Sequence, residues 1–145
     1  MSPNQLLVLG VSGPDLTPEE AALYRKLQPG GFVLFTRNLV DAPQARKLTD
    51  DLRDLCEIPP FIAIDNEVGR VWRTSPFSPS SPSADHFRRK GDPKLIAQSA
   101  LATGPLLGLL GTNLHLPPVS PIHHPPHAAK ARPPPSWGHT LPNVM

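Results

Sequence analysis

A single cysteine stands in these 145 residues. No internal disulfide can staple the fold, and Cys56 is expected to pack as a small, half-apolar side chain beside a helix. Long hydrophobic runs are missing as well. None approaches the roughly 20 apolar residues that a membrane-spanning helix requires, and the opening Met1-Ser2-Pro3-Asn4-Gln5 lacks the basic region of a secretory leader. The expectation is a cytoplasmic chain without a membrane partner. Excess charge of one sign is absent too. Fourteen Lys and Arg stand against twelve Asp and Glu, a formal +2, and the basic residues are interleaved with acids, so nucleic acid is not the expected partner.

What the chain does contain is an alternation of strand-like and helix-like segments. Residues 6–9 form an apolar run followed by the turn residues Gly10, Gly13 and Pro14. Thr17, Pro18 and Glu20 then read as a capped helix start, and Leu23, Tyr24 and Leu27 as its apolar face, which Pro29 and Gly30 should end. Residues 32–35 are a second strand, and Asp41 with Gln44 opens a second helix in which Ala45, Leu48, Leu52 and Leu55 recur at helical spacing. Residues 61–64, after Pro59 and Pro60, read as a third strand buried on both faces. Asp92 and Pro93 open a further helix with Ile96, Ala100, Thr103, Leu107 and Leu110 along one face. Pro105 should kink that helix or end it early, and Pro117 should curtail a fourth strand beginning near Asn113 and Leu114. Strands alternating with amphipathic helices imply parallel pairing, hence an α/β barrel or a doubly wound sheet. An eight-stranded β/α barrel takes about 250 residues, so 145 supply its first three to four β/α units.

Proline divides the chain. Of 21, 14 fall from Pro76 onward; Pro76, Pro79 and Pro82 suit a βα loop, whereas Pro133, Pro134 and Pro135 suit no regular element. The expected organisation is a partial barrel over residues 1–115 and an irregular Pro/His-rich tail over 116–145. His123, His124 and His127 in that tail invite a metal reading, but they lack neighbouring cysteines and a rigid helix, and a solvated loop is the expectation. No metal or cofactor is implied.

The most informative segment is residues 64–73, IDNEVGRVWR. It places Asp65 at the C-terminal edge of the third strand, where parallel α/β folds bind ligands. Together with GFVLFTRN at residues 31–38, it resembles the IDQEGGRVxR segment and second strand of glycoside hydrolase family three, in its bacterial β-N-acetylhexosaminidase branch. The similarity runs from about Leu6 to Asn113. It selects the TIM-type barrel and implies a carbohydrate substrate, terminal β-linked N-acetylglucosamine, with a retaining mechanism that uses an acidic nucleophile and a separate acid/base. The family's lysine-histidine motif and nucleophile have no counterpart here, so no catalytic residue is assigned. The fragment alone is expected to be inactive. The alternatives are a noncatalytic remnant and a small sugar-binding module.

By the same resemblance Asp65 matches an aspartate that accepts sugar hydroxyls, and Arg73 an arginine lining the sugar site. A carboxylate suits a polyol because it accepts charge-assisted bonds from two hydroxyls. Read from the residues alone, Asp65 also fits a loop cap. Arg70 is expected to be structural, pairing with Asp65 or Glu67, while Arg37 and Asn38 either support the site or satisfy loop carbonyls. Val68 stands where the family has glycine, Asn66 where it has glutamine, and Pro121 and Pro135 where it has an aspartate and an arginine. An open sheet of this kind is further expected to self-associate through its edges.

Overall fold

The computed structural model describes residues 2–67, 69 and 71–116. The readings that rest on Val68, Arg70, Pro117, Pro121, Pro135, the three tail histidines and the irregular tail lie outside the described residues. A 3-10 turn at Pro3–Leu6 leads into β1 (Val8–Gly10), α1 (Pro18–Leu27), β2 (Gly31–Leu34), a 3-10 turn at Thr36–Asn38, α2 (Ala42–Asp54), β3 (Phe61–Asp65), α3 (Ala84–Lys90), α4 (Pro93–Leu109) and β4 (Leu114–Leu116). The strands form one parallel sheet in the order β1-β2-β3-β4. Sequential parallel strands joined through helices are how a TIM-type barrel begins.

Register divides the sheet into two faces. Leu9 pairs with Phe32 and Phe32 with Ile62, and one level on Leu34 pairs with Ile64. Side chains alternate along a strand, so Leu9, Phe32, Leu34, Ile62 and Ile64 share one face. That face is covered: these residues cluster with Tyr24 of α1, Ala45, Leu48 and Leu52 of α2, and Leu107 and Leu110 at the end of α4. The opposite face carries Val8, Gly31 and Phe61 at one level, Gly10, Val33, Ala63 and Leu114 at the next, and Asp65 beside Leu116 at the C-terminal end. Val8, Phe61, Leu114 and Leu116 are exposed there. In a closed barrel this second face is the interior.

The expected caps are present. Thr17 Oγ1 accepts from Glu20 N at 3.2 Å while Glu20 Oε2 accepts from Thr17 N at 3.3 Å, and Asp41 Oδ1 accepts from Gln44 N at 2.8 Å. Four details differ from the sequence reading. The first strand begins two residues later than residue 6, because Pro3 and the Ser2 cap favour a 3-10 turn. Helix α1 ends at a left-handed Gln28 (φ 52°), held there by its own side chain. Gln28 Nε2 donates to the Arg25 and Leu55 carbonyls and Oε1 accepts from Glu57 N. Gly30 serves close packing instead, since a Cβ would lie 1.9 Å from the Gln5 carbonyl oxygen. Third, the short helix α3 was not expected; Ser83 caps it by accepting from His86 N, and the left-handed Gly91 closes it.

Helix α4 is the fourth difference. It runs unbroken past Pro105 to Leu109, so proline does not end it. The carbonyl that Pro105 leaves without a donor belongs to Leu101, which is exposed, and water can take the bond. Of the expected stripe, Leu107 and Leu110 are buried, but Ile96 and Ala100 are exposed. Only the C-terminal end of α4 reaches the core, where Thr49 Oγ1 donates to the Leu110 carbonyl at 2.9 Å.

Candidate functional site

Asp65 is the last residue of β3 and stands on the uncovered face of the sheet. The eight-residue return from Asp65 brings Arg73 back over the strand end. Arg73 Nη2 donates to Asp65 Oδ2 at 2.6 Å and Nε donates to the Asp65 carbonyl at 3.0 Å. The loop is tied at two further points: Glu67 N donates to the Val71 carbonyl at 2.6 Å, and Arg73 N donates to Asn66 Oδ1 at 2.7 Å. Both charged side chains remain partly exposed, 24% for Arg73 and 30% for Asp65. A pair this wet contributes about 0–1 kcal/mol. Its geometric effect matters more, because Arg73 fixes one carboxylate oxygen and leaves Oδ1 without a bond among the described residues. That oxygen can accept a hydroxyl.

The end of β2 lies beside this pair. The Phe35 ring carries the Arg73 guanidinium carbon 5.3 Å from its centroid and that of Arg37 at 4.9 Å, within the range of cation–π attraction. Arg37 Nε donates to the Val11 carbonyl at 3.1 Å. Asn38 is wholly buried; its Nδ2 donates to the Val11 and Gly13 carbonyls at 3.0 and 2.8 Å, and its Oδ1 accepts from Phe35 N at 2.9 Å. Arg37 and Asn38 therefore do satisfy loop carbonyls, and Arg37 also reaches the aromatic ring that Arg73 uses. Tyr24 braces the neighbouring strand end by donating to the Gly10 carbonyl at 2.8 Å.

The structure thus brings Asp65, Arg73, Phe35 and Arg37 together at the C-terminal edge of adjacent strands. The Asp65 carboxylate is bonded to Arg73 through Oδ2, and the expected pairing of Arg70 with Asp65 or Glu67 lies outside the described residues. Sequence reasoning missed Phe35 as a shared stacking ring, and it missed His115, whose Nε2 lies 2.7 Å from the Asn66 carbonyl oxygen. The only signal for either was position at a strand end. Among the described residues no group of three His, Cys, Asp or Glu side chains could hold a metal ion, and no helix is long and apolar enough to cross a membrane. A separate open cavity of about 200 Å³ lies between the loop after β3 and α4, lined in part by Trp72, Ser78, Ser81, Ser99, Thr103 and Leu106.

A parallel β/α sheet with a carboxylate–guanidinium pair at its C-terminal edge defines the class, a partial TIM-type barrel. The comparisons make that class more particular. No family model matches the chain. A β-hexosaminidase of Mannheimia succiniciproducens is 32% identical over 123 residues, covering 81% of this chain and 35% of the relative. Among solved structures, a glycoside hydrolase family 3 β-N-acetylglucosaminidase from Paenibacillus superposes with a TM-score of 0.74 at 28% identity, covering 79% of this chain and 23% of that one. NagZ from Neisseria gonorrhoeae, solved in complex with N-trifluoroacetyl-D-glucosamine, gives 0.54 at 28% identity, covering 74% and 32%. In sequence and fold the chain is hexosaminidase-like, of the family 3 N-terminal-domain type, and it matches a fragment of such a glycosidase. It spans about a third or less of the length of these relatives.

Proposed function

We propose that this chain contributes one wall of a sugar subsite in a family 3 glycosidase that releases terminal β-linked N-acetylglucosamine. The observation that carries the reading is the Asp65–Arg73 pair at a barrel strand end, with Asp65 Oδ1 left to accept a hydroxyl and the Arg73 head able to donate to one. Hydroxyl-rich rings are held by such fixed charged groups because each charge-assisted bond is about twice as strong as a neutral one. Phe35 and Arg37 support the pair from β2. Glycoside cleavage also needs an acid/base and a nucleophile, and the proposal assigns neither to this chain. It contributes binding without chemistry.

The division into a partial barrel at 1–115 and a separate segment at 116–145 belongs to the same proposal, as does association through the uncovered sheet face. A cytoplasmic setting belongs to the same proposal, and cell fractionation tests it. The direct test of the subsite is titration of the purified chain with N-acetylglucosamine, followed through amide shifts. Saturable shifts at Asp65 and Arg73 are expected, and Asp65→Ala should weaken binding roughly ten- to a hundredfold, the loss of about 1.5–3 kcal/mol typical of a bond to a charged group. Equal binding by Asp65→Ala would overturn the assignment. Turnover of a β-N-acetylglucosaminide by the unaltered chain would overturn the noncatalytic reading.

A further inference from the structure

The Asp65–Arg73 pair is held from a neighbouring strand, through a residue that touches neither charged head. Asn66 follows Asp65 directly and is buried, 2% exposed. Its side-chain Oδ1 accepts from the Arg73 backbone N–H at 2.7 Å. Its backbone carbonyl lies 2.7 Å from His115 Nε2. His115 sits on β4 one level below the strand end, in register with Ile64, and its ring spans that offset. Both carbonyls at the end of β3 are therefore met by side chains: Asp65 by Arg73 Nε and Asn66 by His115 Nε2.

We propose that Asn66 and His115 are positioning residues for the Asp65–Arg73 pair, with His115 locking the Asn66 peptide and Asn66 locking the backbone from which Arg73 reaches back. A carbonyl only accepts, so Nε2 must carry the hydrogen, which both the Nε2–H neutral tautomer and the imidazolium provide. The bond requires a donor at that place and no charge. The Asn66 amide adds a second constraint. Its Nδ2 has no partner among the described residues, and a buried unmet donor costs free energy. The Oδ1 bond to the Arg73 backbone N–H offsets that cost and requires an acceptor at this place. Neither residue is catalytic; each acts through Arg73.

The proposal rests on the sugar-subsite reading for its functional meaning, but its test does not. In the full chain, the Arg73 Nε–H resonance reports directly on the bond to the Asp65 carbonyl through its exchange with water. His115→Phe keeps a ring and removes the donor; His115→Gln removes the ring and keeps a donor; Asn66→Ala removes the acceptor. Exchange at Arg73 Nε–H should speed up about tenfold or more in His115→Phe and Asn66→Ala and stay near the parent rate in His115→Gln, with core amides of β2 and β3 unchanged. His115 is exposed on an edge strand, so its variants fold even where Asn66→Ala does not, and the His115 pair then decides. Parent-like protection in His115→Phe overturns the proposal, and so does equal loss in His115→Gln. Sugar titration separates the two readings. If the parent binds sugar, His115→Phe should bind about tenfold more weakly and His115→Gln equally well; a parent that binds no sugar overturns the subsite reading and leaves the exchange result to judge the positioning.

Discussion

Among single residues, the difference between Arg37 and Asn38 shows how burial decides the weight of a contact. Both donate to the Val11 carbonyl, yet Asn38 is wholly buried and Arg37 is exposed. Truncating Asn38 leaves Phe35 N and the Gly13 carbonyl without their bonds, and each unmet buried group costs about 1–3 kcal/mol. Asn38→Ala is therefore expected to lower unfolding free energy by roughly 3 kcal/mol in urea denaturation. Arg37→Ala leaves Val11 served by Asn38 and gives up a stacking contact of about 0.5–1 kcal/mol at a wet site. Equal losses in the two variants would show that burial is not the deciding term. Both residues were legible in the sequence as strand-end polar groups. Their unequal weight was not, because it depends on which side chain the β1–α1 loop covers.

At the scale of elements, helix starts were legible because capping is local. Thr17 with Glu20 and Asp41 with Gln44 bond across three residues, a spacing visible in the sequence itself. Helix ends and helix faces were less so. Gln28 takes a left-handed conformation through bonds to Leu55 and Glu57, partners far along the chain, and the exposed half of α4 reflects what packs beside it and not its own periodicity. The first helix offers a pH test of its bracing. Tyr24 is pushed up to about 12 by burial, then by its bond to and the charge of Glu20. A phenol whose folded value is raised contributes stability that is complete below its ordinary value near 10 and is lost as pH rises toward 12. Thermal stability should fall across that window, and Tyr24→Phe should remove this part of the slope while lowering stability at neutral pH by about 1 kcal/mol, the usual net worth of one hydrogen bond. An unchanged slope in Tyr24→Phe would assign the alkaline loss to other groups. Thr17→Ala should cost α1 about 1 kcal/mol, read as a shift in urea midpoint.

At the scale of the whole molecule, the sheet is covered on one face and, among the described residues, open on the other. The covered face buries Phe32, Leu34, Ile62 and Ile64 against helices, whereas Val8, Phe61, Leu114 and Leu116 lie exposed on the opposite face. Among the described residues both β1 and β4 have a strand neighbour on one side only. Edge strands with free backbone groups, next to exposed apolar side chains, drive association in water, and a barrel removes both by closing. The chain is thus expected to self-associate at micromolar concentration in sedimentation velocity. Phe61→Asp tests the cause. Phe61 is 59% exposed, so the charge meets water at the uncovered end of β3 and should reduce association several-fold without loss of the core amide pattern. A monodisperse parent monomer with cooperative unfolding would refute the open-face account, and association undiminished in Phe61→Asp would move its origin from the face to the strand edges. The Asp65 carboxylate stands on that same face. If association closes the barrel mouth around it, sugar titration and sedimentation will be coupled, with N-acetylglucosamine shifting the association equilibrium by mass action.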